Sequence, residues 1–261
     1  MVKPDVSDDV KFARLRRFNL IMGFLHLVQG ILMIVLSSGF SLPVYANYLG
    51  LDEASRQLVP QPEILFTLRI GPMVGAFLLF SAVAHFLLGT VLYPWYVRNL
   101  KEHINKLRWV EYAFSSTLMI IIIAMLVGIY DIAALIAIAF VNASMILFGW
   151  MMELHNQTTT KVNWTAYFFG CIAGIAPWIA VAIYLLGPEA AGRQGPPAFV
   201  YWIFVSIFIF FNTFSVNQVL QYRKVGKWRD YLYGERAYIV LSLVAKSLLA
   251  WQIWAGTLRP V

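Results

Sequence analysis

With one cysteine, Cys171, the chain has no partner for an internal disulfide. Its place inside an apolar stretch makes it a small buried hydrophobe rather than a reactive thiol. Charge is scarce too. Asp, Glu, Lys and Arg together supply 13% of the residues, about half of what a soluble domain carries. Internal repeats and low-complexity segments are missing, which excludes solenoids and long linkers. No small-residue cleavage pattern follows the first apolar stretch, so that stretch does not read as a removable signal. What the chain has in excess is apolar sequence: 60% of its residues are hydrophobic, and the mean hydropathy is +0.70.

That excess is organised into seven stretches long enough to cross a bilayer, at 18–38, 64–92, 109–128, 132–152, 164–186, 199–220 and 237–257. The fold class is therefore an all-α membrane protein, a bundle of seven transmembrane helices. Residues 1–261 leave no room for a separate soluble domain, so the chain reads as one domain. Residues 1–17 form a polar, basic lead, and 39–63 form the longest connection. Within that connection Val44-Tyr-Ala-Asn-Tyr-Leu49, flanked by Pro43, Pro60 and Pro62, allows a short β-hairpin. The motif Gly128-Ile-Tyr-Asp131 predicts a very tight turn, and the Gly- and Pro-rich segment 187–197 predicts a loop.

The net charge of +7 does not point to nucleic acid, because the cations follow the membrane. One side carries Lys3, Lys11, Arg14, Arg16, Arg17, Arg98, Lys101, Lys106, Arg108, Lys161, Arg223, Lys224, Lys227, Arg229 and Arg236. The other carries only Arg56, Arg69, Arg193 and Arg259. The positive-inside rule then puts the amino terminus in the cytoplasm and the carboxyl terminus outside. Aromatics near the predicted interfaces, among them Trp95, Trp109, Trp164, Trp228 and Trp254, suit anchoring in the lipid bilayer.

Lys246 is the exception to this distribution, since it falls in the middle of the last apolar stretch. A charged amine there costs about 2.5–3.5 kcal/mol and marks function by default. About ten residues, or about 15 Å of helix, separate it from either end, too far to snorkel. A buried lysine can form a Schiff base with an aldehyde. In a seven-helix membrane protein the aldehyde to expect is retinal.

A protonated Schiff base needs a counter-charge, and Glu111 is the one good candidate inside the stretches. A carboxylate within about 4–6 Å keeps an amine charged. Arg108, three residues earlier on the same helical face, is expected to help hold Glu111 ionised. Depth is a tension. At about 1.5 Å per residue, Glu111 lies about 25 Å from the outer end of its helix and Lys246 about 15 Å from its own. The lysine leans toward the glutamate, because helical side chains tilt amino-terminally. Ser242, one turn before Lys246, can hydrogen-bond the carboxylate or the Schiff base. Ile122 lies eleven residues beyond Glu111 within an unbroken apolar run, so nothing there can hand on a proton.

His26 and His85, with Gln29, Ser81, Asn105 and Arg108, are expected to line a small polar cavity beside Glu111 that holds water and takes up a proton. The two histidines lack a third ligand, so no metal site is expected. Walls for a flat polyene are available in Phe208-Ile-Phe-Phe-Asn-Thr-Phe214, Pro177-Trp178 and Asn142-Ala-Ser-Met-Ile-Leu-Phe-Gly149.

Four segments carry a family resemblance: Trp109-Val-Glu-Tyr112, Val141 to Trp150, Phe169 to Trp178 and Gly234 to Lys246. Together they resemble the heliorhodopsins, over nearly all seven helices. The resemblance implies a rhodopsin-like bundle with the amino terminus inside, usually a homodimer, and not an enzyme. It implies all-trans retinal bound covalently to Lys246, Glu111 as counterion and Ser242 beside the Schiff base. Asn142, Met145, Trp178 and Phe211 match positions around the chromophore, and His26 and His85 match the inner polar cavity. The family is regarded as light-sensing, with a slow photocycle and little ion transport. The alternative function is a light-driven or light-gated ion transporter. A light-modulated partner of a cytoplasmic signalling protein, docked on 221–229, is a third reading, and a zinc-dependent membrane hydrolase a fourth.

Overall fold

The computed structural model of the chain describes residues 6–259; Lys3 of the basic lead lies outside them. Eight α-helices and one β-hairpin follow in the order α1 (Val6–Val35), β1 (Ser41–Asp52), β2 (Gln57–Arg69), α2 (Ile70–Gly89), α3 (Tyr93–Lys101), α4 (Lys106–Leu126), α5 (Ile132–His155), α6 (Thr165–Ala190), α7 (Ala198–Tyr222) and α8 (Tyr231–Ile253). A π-helical turn, Trp254–Leu258, extends α8. All but α3 are long and apolar enough to span a bilayer. Each buries part of its circumference and leaves the rest apolar and exposed, as lipid-facing helices do.

Neighbouring helices pack in chain order, and α8 returns to α1 and α2. Small residues bring α1 and α2 together: a Cβ on Gly75 would lie 3.1 Å from the Gly30 carbonyl oxygen. By contrast α6 and α7 barely touch through their backbones and meet through Trp178 against Phe204, Phe208 and Phe211.

The hairpin is longer than its sequence suggests. Residues 64–69, counted with the second span, belong to β2, and α2 begins only at Ile70. The segment Ile64-Leu-Phe-Thr-Leu-Arg69 is apolar enough for a span, yet its branched and aromatic residues suit a strand, and β1 supplies the pairing. Pro60 and Pro62, which lack an N–H, fit a ribbon whose two strands are both edges. At its tip Asp52 accepts from the Ser55 hydroxyl at 2.6 Å. That bond, with the Ser55 and Ala54 amides, holds its carboxyl below the usual range.

The hairpin is tied to the α4–α5 turn. Tyr45 N donates to the Tyr130 carbonyl at 3.1 Å, and Asn47 Nδ2 donates to Asp131 at 3.2 Å. Asp131 also caps α5 by accepting from the amides of Ala133 and Ala134. Gly128, at φ +99°, makes the preceding bend.

Further boundaries differ from the sequence reading, the largest at α1, which starts at Val6 inside the basic lead rather than at residue 18. Helix α6 runs on to Ala190, past Gly187, and carries both Pro177 and Pro188. Helix α8 starts six residues early, because Asp230 accepts from the Leu232 amide and caps it there. On the end of the bundle opposite the hairpin, α3 lays Tyr96 into the interior, where burial pushes its phenol up to about 12.

Candidate functional site

Lys246 Nζ donates to Glu111 Oε1 at 2.7 Å and to Ser81 Oγ at 2.5 Å, and Ser81 Oγ donates to Glu111 Oε1 at 2.7 Å. Three helices, α8, α4 and α2, supply this buried triangle. The depth tension is closed by the lysine arm, which leans amino-terminally along α8 toward Glu111. Tyr112 adds a ring face 5.2 Å from the amine and fixes itself by donating to the Tyr238 carbonyl at 3.0 Å.

On one side of the triangle lies a cavity of about 390 Å³ bounded by α4, α5, α6, α7 and α8. Lys246, Ser242 and Ala245 form its α8 wall, Met145 and Gly149 its α5 wall, and Trp178, packed edge-on against Phe208 and Phe211, closes it from α6 and α7. On the other side lies a cavity of about 30 Å³ touching Ser81, His85, Asn105, Arg108, Glu111 and Ser242, with room for about one or two waters.

The larger cavity fits a long apolar ligand with one aldehyde. Its volume lies in the range of small-molecule sites, about 300–1,000 Å³. Its walls are aromatic and aliphatic, a single amine reaches it, and Gly174 leaves space that Met145 shares.

A model of the Heliorhodopsin family matches residues 15–258. The chain belongs to the heliorhodopsin family. Nothing among curated proteins matches it. Heliorhodopsins are retinal-binding, light-sensing rhodopsins rather than classical enzymes. The seven span-capable helices make this heliorhodopsin a multi-pass membrane protein.

Several residues expected at the site sit elsewhere in this heliorhodopsin. Asn142 does not line the large cavity. Its Nδ2 donates to Ser116 Oγ at 2.9 Å and Thr117 Oγ1 at 3.0 Å, so it staples α5 to α4 behind the wall. Gln29 does not reach the small cavity either. Its amide lies at the α1–α8 seam, where it accepts from Trp251 Nε1 at 3.1 Å. His26 is buried and stacked on His85 at 5.5 Å, one layer behind the cavity wall. Ser242 lines both cavities without a hydrogen-bond partner, while Ser81 holds the place beside the amine. Lys246 Nζ reaches across to Glu111 of α4 and Ser81 of α2 instead. Cys171 is exposed rather than buried, on the part of α6 that borders the large cavity.

Arg108 does not hold Glu111. Its side chain, tilted toward the start of α4, meets Glu153 of α5 and Glu235 of α8 instead. Asn105 joins them, donating through Nδ2 to Glu235 at 2.9 Å and through its amide to Glu153 at 3.2 Å. Both glutamates lie just outside the apolar stretches 132–152 and 237–257. The signal that finds them is Arg108 itself, since a buried guanidinium demands acidic partners. Asn19, which meets His85 Nδ1 at 2.8 Å, was likewise missed; a lone Asn in an apolar stretch was the available clue.

Proposed function

We propose that the chain is a light-sensing photoreceptor carrying all-trans retinal on Lys246 as a protonated Schiff base, with Glu111 as its single counterion. The observation that carries this reading is the buried amine paired to one carboxylate at the wall of an apolar cavity. When bound, the polyene supplies visible absorption and a light-driven isomerisation. Glu111 supplies the compensating charge, and Ser81 fixes the carboxylate by donating to the same oxygen. Trp178, Phe208, Phe211 and Met145 exclude water from the pocket. The small cavity, with His85 at its wall, is where a proton leaving the site is held.

Little or no pumping fits the rest of α4. Met119 to Met125 is wholly apolar and, apart from half-buried Ile121, buried, so no group there relays a proton. We place the amino terminus in the cytoplasm on the charge asymmetry alone. The family resemblance supports a homodimer and a slow photocycle, and the basic 221–229 segment suits a signalling partner.

The test is an absorption spectrum after adding retinal. The unsubstituted protein gains a visible band that hydroxylamine bleaches, and Lys246→Ala stays colourless. A colourless unsubstituted protein rejects the reading, and a light-induced pH change in cells favours transport.

A further inference from the structure

Arg108, Glu153 and Glu235 are almost wholly buried, at 6%, 3% and 0% exposure. Both carboxylates pair with the one guanidinium, and neither has another salt-bridge partner among the described residues. The formal charge of the trio is therefore −1, and only Arg108 of the three borders the small cavity. The other buried cation, Lys246, is already balanced by Glu111. An uncompensated buried carboxylate costs several kcal/mol, and neutralising it removes most of that cost.

We propose that the Arg108–Glu153–Glu235 cluster is a second proton-holding site, in which the two carboxylates share one proton at neutral pH, and that it senses the state of the chromophore pocket through Trp109 and Tyr238. The geometry supports the first part. Glu153 accepts from Arg108, the Asn105 amide and Trp109 Nε1, so it is the better solvated anion. Glu235 accepts from Arg108 and Asn105 only, so it carries the proton more of the time. The buried hydroxyls of Tyr231 and Tyr238 lie in the field of Glu153. The other titratable groups near the trio are the phenols of Tyr96, Tyr112 and Tyr222 on α3, α4 and α7. None of them brings a positive charge. His103, from the α3–α4 link, is exposed and stacks on Tyr231.

The second part rests on the retinal reading. Arg108 lies 4.7 Å from the Trp109 ring and 4.1 Å from the Tyr238 ring, and both rings line the large cavity. Trp109 also donates to Glu153 at 2.6 Å. One indole thus lines the ligand space and reaches the proton site with its N–H. Gly149 permits this arrangement, because Trp109 fills the space a Cβ would take.

The first part is tested without retinal, by carbon-13 NMR of glutamate carboxyls in the full chain in nanodiscs at pH 7. One carboxyl signal in the protonated range is expected, retained in Glu111→Gln. It is absent in both Glu153→Gln and Glu235→Gln, because the remaining carboxylate then balances Arg108 alone. Spectra in which every glutamate is ionised overturn the proposal. So does a protonated signal that survives both substitutions or vanishes in Glu111→Gln. The second part is tested by light-minus-dark infrared spectra of the retinal-loaded protein. The carboxyl band assigned to the cluster shifts on illumination, and Trp109→Phe, which cannot donate, removes the shift. A band indifferent to light overturns the coupling. Failure to form any visible band is failure of the retinal reading instead, and leaves the NMR result to decide the proton site.

Discussion

Two buried ionic sites lie one turn apart on α4, and they are built on different principles. The Lys246–Glu111 site is balanced, one cation to one anion, and opens on a cavity of about 390 Å³. The Arg108 site is unbalanced, one cation to two anions, and is packed between Trp109 and Tyr238. A lysine serves where the amine must be free to react, since it can lose its proton and has a flexible arm. An arginine serves where geometry must be held, since its planar fork engages two carboxylates at once and does not deprotonate. The difference teaches that burial of charge alone does not identify a reactive group; access to ligand-sized space beside it does.

The substitution with the largest expected effect is Arg108→Met, which leaves the Glu153–Glu235 pair without its cation. It should cost about 3–5 kcal/mol of stability, seen as a lower thermal unfolding midpoint in micelles. Adding Glu153→Gln and Glu235→Gln to it should restore most of the loss. If the triple variant is no more stable than the single one, the three side chains are not one electrostatic unit.

Next is Glu111→Gln, which removes the balancing charge at the other site. The retinal-loaded variant should absorb at a shifted wavelength and lose its visible band at a pH lower by about 1–3 units. An unchanged spectrum and titration would remove Glu111 from the site. Ser81→Ala is smaller. It deletes a hydrogen bond to a charged group, worth about 1.5–3 kcal/mol, and should shift the visible band while leaving it in place. The equivalent Ser242→Ala should do less, because Ser242 bonds neither Lys246 nor Glu111. The smallest effect belongs to Asp131→Ala at the hairpin end, which loses a helix cap worth about 1 kcal/mol and should leave colour untouched.

Much of this fold was legible because hydropathy and helix length are local properties. Seven spans and the central position of Lys246 follow from counting residues along the chain. The misplaced start of α2 shows where counting fails: the run Ile64 to Leu68 is apolar in either conformation, and only its pairing with β1 decides for strand. The site was legible where a single residue was anomalous, as Lys246 and Glu111 are. It was not legible where partners come from distant segments. Arg108 and Glu111 share a helical face, which suggested a pair, but tilt sends Arg108 toward α5 and α8. Likewise Ser242 is the nearer serine by sequence, and Ser81 the nearer in space, because α2 packs against α4 where the amine arrives.

The covalent site itself can be read directly. Retinal-loaded protein is reduced with borohydride, digested, and mapped by mass spectrometry. The retinyl adduct should lie on the peptide that contains Lys246 and on no other. An adduct on a different lysine, or retinal that washes out unreacted from a coloured protein, would contradict the assignment of this buried amine as the chromophore's attachment point.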